Sequence, residues 1–368
     1  TIGKLNNCAS HRQSTMSSQL PGNAETSGKT VLYSITMLVA LTGNLLLILI
    51  MKRKPETRSL TGFLIVNMAV ADLLVTFVVM PVSMAYLYTG GKWLLSGNLG
   101  QVTCISVYFG YHVTLAASIL SLSIMSVDRY LAVVYPFSGF PTFRRAKVLT
   151  VVIWLSSMIF SIPIAVVWRA IDYGPGGTYC TPVFKNLGEF GMPVYYTYLF
   201  LLMYLIPLLV ISSLYTLVGL AIWRRNVPAG AEQRNEMIKR KVVRTLVIIT
   251  AVFALCWLPT QCYHFILAFY TGVHDKLPPY VMFLCFWSGH ANSAVNPWLY
   301  MMLTEKFRKV LRNLLHRGPV EPSLQLGTSR TITTKGSNSE TGQRANRDQL
   351  NGSLLDYKQE ENCIETAL

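Results

Sequence analysis

The sequence predicts an all-α membrane protein: a seven-transmembrane helix bundle with a short amphipathic eighth helix on the cytoplasmic side. Three observations carry that prediction. Of the 368 residues 52% are hydrophobic and only 13% charged, with a mean hydropathy of +0.39; a soluble domain carries about 25% charged residues. Seven apolar runs, at 31–51, 62–87, 104–134, 148–168, 194–223, 242–270 and 279–303, are each long enough to cross the ~30 Å hydrocarbon of a bilayer as helices. The basic residues alternate between the gaps. Lys52, Arg53, Lys54 and Arg58, then Arg144, Arg145 and Lys147, then Arg224, Arg225, Arg234, Lys239, Arg240, Lys241 and Arg244 follow runs one, three and five. Only Lys92, then Arg169 and Lys185, then Lys276 follow runs two, four and six. The positive-inside rule makes the first set cytoplasmic, so the N-terminus lies outside and the C-terminus inside. The same distribution accounts for the net charge of +15 without nucleic acid.

In chain order, residues 1–29 are polar and read as a disordered extracellular tail, with no charged-then-apolar signal peptide before the first run. Run one carries Asn44, a packing or functional polar residue. Run two contains Asn67-x-Ala69-x-x-Asp72; a carboxylate at that depth costs at least ~2.5–3.5 kcal/mol on insertion scales and is a functional candidate. Pro81 kinks its outer half. Run three opens at Cys104 and ends in Asp128-Arg129-Tyr130. Run four has Trp154 and Pro163. After it, the Gly/Pro cluster of Asp172-Tyr173-Gly174-Pro175-Gly176-Gly177 predicts a hairpin leading to Cys180. Cys104 and Cys180 both fall at the outer edge, where they can form a disulfide that pins the hairpin over the bundle mouth. Cys256, Cys262 and Cys285 read as buried thiols, and Cys8 stays unassigned. Run five has Pro207 and Tyr215, run six Cys256-Trp257-Leu258-Pro259, and run seven Asn292-Ser293-x-x-Asn296-Pro297-x-x-Tyr300. A mid-span proline frees backbone groups, which the adjacent asparagines can satisfy. The bundle is thus expected over 30–303. Phe307, Val310, Leu311, Leu314 and Leu315, interleaved with Lys306, Arg308, Lys309 and Arg312, predict a basic amphipathic helix over 304–316 on the inner membrane surface. Residues 317–368 read as a disordered cytoplasmic tail.

Seven markers in order, one set per run, resemble the rhodopsin-like (class A) G-protein-coupled receptors over about 30–316. They are Asn44; Asp72; Cys104 with Asp128, Arg129 and Tyr130; Trp154; Pro207 with Tyr215; Trp257 with Pro259; and Asn296, Pro297 and Tyr300. The resemblance implies a plasma-membrane receptor, not an enzyme, that couples to a heterotrimeric G protein through Asp128, Arg129, Tyr130, Phe137, Tyr215, Asn296, Pro297 and Tyr300. It implies an activation core of Ile119, Pro207, Phe253 and Trp257. It also implies a regulatory Na⁺ held by Asp72, Ser118, Asn292, Ser293 and Asn296, oxygen ligands suited to a hard cation, with no other cofactor. Lys239 stands where some members have an acidic partner for the arginine, and 304–320 lack a cysteine for a palmitoyl anchor.

The outer halves offer Gln101, Tyr108, Tyr111, His112, Gln261, His264, Phe286 and His290 as ligand-binding residues. Tyr111 occupies the position of the amine-binding aspartate of aminergic members, and His290 that of the retinal lysine of opsins, so neither ligand fits. The aromatic, neutral-polar lining, the sequence around Trp93 and the short third inner loop resemble the neuropeptide branch that includes RFamide, neuropeptide Y, tachykinin, orexin and galanin receptors. That implies an extracellular peptide ligand. The alternative ligand is a lipid or another non-amine small molecule, and a more distant reading is an ion- or proton-coupled transporter. The resemblance further implies arrestin and receptor-kinase contacts at tail hydroxyls such as Thr331, Ser337 and Thr341. Glu365-Thr366-Ala367-Leu368 resembles a PDZ ligand.

Overall fold

The computed structural model describes residues 23–53, 59–135, 146–224, 231–304 and 308. Among these, seven long helices follow one another: α1 (Asn23–Arg53), α2 (Leu60–Thr89), α3 (Gly97–Val134), α4 (Ala146–Val167), α5 (Gly191–Trp223), α6 (Ala231–Phe269) and α7 (Pro279–Leu303). Helices α1 to α6 are long and apolar enough to cross a membrane. Helix α7, 25 residues and hence about 37 Å long, is diluted by His290, Asn292, Ser293 and Asn296. All four face the bundle interior at 4% exposure or less, so its lipid-facing side stays apolar.

Three helices begin more than a turn before their apolar runs. α1 starts at Asn23, so residues 23–29 are helical rather than part of a disordered tail. Glu25 sits in the first turn and pairs with Lys29 one turn on, which suits both the helix dipole and i,i+4 pairing. α6 starts at Ala231 because 231–241 are strong helix formers. Apolarity ends where the chain leaves lipid; helical propensity does not. α3 starts at Gly97, one turn and more beyond Cys104.

The helices accommodate their prolines in different ways. A π-helical turn at Val75–Val79 precedes Pro81, and another at Leu201–Leu205 precedes Pro207. α4 breaks at Ser161, just ahead of Pro163, whereas Pro259 and Pro297 lie inside continuous helices. Side chains also reach backbone carbonyls across the α6–α7 seam. Ser288 Oγ donates to the Cys256 carbonyl (3.0 Å) and Thr260 Oγ1 to the Cys285 carbonyl (2.7 Å).

Polar residues also tie the helices laterally. Asn67 Nδ2 donates to Ser121 Oγ (2.8 Å) while Trp154 Nε1 donates to Asn67 Oδ1 (2.7 Å), linking α2, α3 and α4. Asn44 Nδ2 donates to the Ser293 carbonyl (3.0 Å), joining α1 to α7. Gly43 permits that approach, since a Cβ there would meet Pro297 Cγ at 2.7 Å.

After α4 the chain forms an antiparallel hairpin, β1 (Trp168–Asp172) with β2 (Thr178–Pro182), in register Ala170↔Cys180. Gly174 and Gly177, at φ of 62° and 92°, supply the left-handed positions that turn it. The Cys104–Cys180 disulfide fixes β2 to α3, and Trp93 N donates to the Thr178 carbonyl (2.7 Å) from the α2–α3 loop. Lys239's side chain, Phe137, the expected 304–316 helix apart from Thr304 and Arg308, and the expected cytoplasmic tail fall outside the described residues and side chains.

Candidate functional site

Beneath the hairpin lies an aromatic and neutral-polar cluster of side chains. Its roof is Trp168, whose ring stacks on Tyr108 at 3.5 Å between centroids, 14° from parallel. Trp168 Nε1 donates to Tyr195 Oη (3.0 Å), and Tyr108 Oη donates to Tyr86 Oη (3.3 Å). Tyr195 and Tyr196 are therefore interior side chains, at 5% and 7% exposure, and not anchors in the membrane interface. One turn deeper on α3, Tyr111 meets the rings of His290 (5.4 Å) and Trp257 (6.1 Å). On the far wall His264 packs against Tyr196 (4.8 Å) and Phe286 (5.7 Å). Below this cluster a small cavity is lined by Tyr111, Leu115, Ser118, Phe253, Trp257, Asn292 and Ser293, with Asp72 at its floor.

Hydrogen bonding divides the predicted ligand residues into two groups. Gln101 Oε1 accepts from Ala170 N (3.1 Å), so Gln101 braces the hairpin. His112 Nδ1 donates to its own helix at the Tyr108 carbonyl (2.7 Å), and His290 Nδ1 shares a hydrogen bond with Tyr33 Oη (3.0 Å). By contrast Tyr111 Oη, Gln261 Oε1 and His264 Nδ1 are buried without a hydrogen-bond partner, as is Trp257 Nε1.

The floor fits a small hard cation by its donor set. Asp72, 3% exposed, accepts from Ser293 Oγ (2.8 Å) and Asn296 Nδ2 (3.2 Å). Asn292 Oδ1 and Asn296 Oδ1 are buried oxygens without partners, and Ser118 lines the same space. One carboxylate with neutral oxygens around it suits a monovalent ion better than a transition metal.

At the other end of α3, Arg129 Nε donates to Asp128 Oδ2 (3.0 Å) and its Nη2 pairs with the same oxygen. Thr61 Oγ1 also donates to that oxygen (3.4 Å). Arg129 is 5% exposed and does not snorkel to water. Tyr215 Oη and Thr250 Oγ1 face each other across α5 and α6. Tyr300 Oη reaches Met68 Sδ (3.3 Å) from α7. Between the two ends lie the buried Ile119 and Phe253 and the Pro207 turn of α5; the Phe253 ring sits 6.2 Å from Trp257.

Several members of the site left no mark in the sequence pattern. Tyr33 is one aromatic in an apolar run, and only the α1–α7 packing brings it to His290. Gly289 gives room to Trp257, whose ring a Cβ there would meet at 3.2 Å. Trp168 did carry a signal, an aromatic at the junction of a span and a hairpin. Cys262 corrects an expectation: its side chain is exposed on the bundle surface rather than buried.

The helical bundle, its disulfide-held hairpin and the charge pair at the opposite end define a multi-pass receptor fold. The profile of the 7 transmembrane receptor (rhodopsin family) matches residues 43–300, and the chain belongs to that family. It is therefore a G-protein-coupled receptor and not an enzyme. It is similar to the Substance-K receptor of Mus musculus, 31% identical over 76% of this chain and 73% of the relative. The human Substance-K receptor is 28% identical over 82% and 77%, and that of Rattus norvegicus 30% identical over 76% and 72%. These relatives bear out the resemblance to the neuropeptide-receptor branch.

Proposed function

We propose that this receptor binds an extracellular peptide under the β1–β2 hairpin and activates a heterotrimeric G protein by moving α6 against α3. In this reading it sits in the plasma membrane with its N-terminus outside and C-terminus inside. The observation that carries it is a pair of ring-contact sets on successive turns of α3: Trp168 on Tyr108 under the hairpin, then Tyr111 on Trp257 and Trp257 on Phe253 one turn deeper. A ligand pressing on Tyr111 displaces Trp257, and Trp257 sits two residues from Pro259, where α6 lacks an intrahelical bond. The relatives are named for substance K, and the lining offers no counter-ion for an amine at Tyr111.

Asp72, Ser118, Asn292, Ser293 and Asn296 would hold a sodium ion between α2, α3 and α7, favouring the arrangement in which these helices stay together. Arg129, Tyr130, Tyr215 and Tyr300 would meet the G protein once α6 moves, with Phe137 beside them. Arrestin, receptor kinases and a PDZ protein at Glu365–Leu368 remain partners proposed from the tail sequence.

A neuropeptide library applied to cells expressing the receptor, read by nucleotide exchange on co-expressed heterotrimers, tests the main proposal. A peptide that accelerates exchange, and fails to do so with Tyr111→Ala at equal surface expression, is the expected result. A lipid that activates where no peptide does would overturn it. Asp72→Asn should abolish the sodium dependence of agonist affinity; retained dependence removes the ion from this site.

A further inference from the structure

We propose that the loop joining α6 to α7 carries a site for a zinc ion, held by His274 and Asp275 and steadied by Tyr263. The site faces water rather than the bundle interior and does not depend on the ligand reading above. The loop opens with a single helical turn, Thr271–His274. His274 N and Asp275 N donate to the Tyr270 and Thr271 carbonyls, both at 2.9 Å, so the backbone beneath both side chains is fixed. Their side chains are 27% and 59% exposed, and an ion can reach them from water.

His274 Nδ1 and Asp275 Oδ1 stand 3.3 Å apart. Tetrahedral zinc binds imidazole nitrogen and carboxylate oxygen at about 2.0–2.2 Å, which puts two such ligands about 3.3–3.5 Å apart. The separation already matches one edge of that tetrahedron, so little movement is needed. On the other side of the ring, His274 Nε2 shares a hydrogen bond of 3.0 Å with Tyr263 Oη. Tyr263 is 8% exposed and packs edge-on against His274 and Phe286, both at 5.5 Å between ring centroids. A ligating histidine is oriented by a hydrogen bond through its second nitrogen. Tyr263 supplies that bond from α6.

The protons balance. A carboxylate only accepts, so without metal Nδ1 carries the imidazole proton toward Asp275 and Nε2 accepts from Tyr263. With zinc on Nδ1 that proton sits on Nε2 and donates to Tyr263 Oη, which turns from donor to acceptor. Two protein ligands leave the remaining positions to water, as in an open and reversible site. One imidazole with one carboxylate suits zinc, whereas calcium and magnesium take oxygen ligands. Lys276 follows in the sequence, so the loop offers no surplus of negative charge and selection rests on the imidazole nitrogen. Bound zinc ties the loop to the outer end of α6 through Tyr263.

Zinc chloride titrated by calorimetry into the purified full-length receptor, in lipid nanodiscs and without a histidine tag, tests the proposal. His274→Gln and Asp275→Asn should each remove one equivalent of bound zinc while the metal-free thermal midpoint holds. Tyr263→Phe should weaken that equivalent about tenfold or more. In the unmutated receptor zinc should protect His274 from diethyl pyrocarbonate, read by peptide mass spectrometry, which tests the site even where a variant folds poorly. Calcium or magnesium at equal concentration should give no protection. Unchanged zinc binding in any of the three variants, protection by calcium or magnesium equal to that by zinc, or His274 modified at the same rate with and without zinc overturns the proposal. No peptide or G protein is involved, so failure of peptide agonism and failure of zinc binding are read separately.

Discussion

The two sides of α3 differ in how their polar atoms are served. Toward α2 and α4, Ser121, Asn67 and Trp154 form a closed chain of hydrogen bonds at 2.8 and 2.7 Å. Toward α5 and α6, Tyr111, Trp257, Gln261 and His264 all hold buried polar atoms with no partner. Helix α6 is fastened elsewhere: to α7 through Thr260 and Ser288, and to α5 through Tyr204 Oη, which donates to the Ala254 carbonyl (2.9 Å). A satisfied interface has one preferred geometry. An unsatisfied one gains when a ligand or a new packing supplies partners, so the α3–α6 seam is the part of the bundle that binding can rearrange.

The comparison can be broken or sharpened by mutation. The largest effect should come from the restraint that both sides depend on. Cys104→Ser or Cys180→Ser opens a loop with a sequence separation of 76 residues and should cost about 2–5 kcal/mol of stability. Thermal unfolding of the purified receptor measures it, and agonist binding should be lost with hairpin position. Next, Asp128→Asn leaves Arg129 without its carboxylate and should raise agonist-independent nucleotide exchange several-fold. Unchanged basal exchange would show that the pair does not restrain the inner end.

On the fastened side, Trp154→Phe should lower stability by about 1–2 kcal/mol, the cost of stripping a buried bond from Asn67, and leave agonist potency intact. On the open side, Gln261→Leu should do the reverse: potency falls while the thermal midpoint holds or rises, since an unpaired acceptor is removed. If the two variants behave alike, the contrast between the sides of α3 is wrong. The smallest effect is expected from Thr260→Val, about 0.6 kcal/mol for one interhelical bond in a membrane protein, seen as a slight fall in midpoint.

The number of helices and the hairpin were legible because lipid imposes a simple rule: a span must be apolar, and charges must lie outside it. Helix ends were less legible. Asn23 and Ala231 lie beyond the lipid, where propensity and ion pairing rather than apolarity extend α1 and α6. Of the site, the floor could be read from Asp72 with Asn292, Ser293 and Asn296, since polar residues in a span stand out. The aromatic wall could be read only as a set of candidates, because a tyrosine in a span looks the same whether it anchors, packs or binds.

By itself, then, the sequence determined the bundle, its family markers and the residues from which a site had to be drawn. The tertiary structure alone decided which of those residues already had partners. It turned Gln101 toward the hairpin and His290 toward Tyr33, and left Tyr111, Gln261 and His264 open. The physical reason is that hydrogen bonding between helices depends on rotation and depth to within an ångström, and residues 69 or 257 positions apart carry no local pattern that records it.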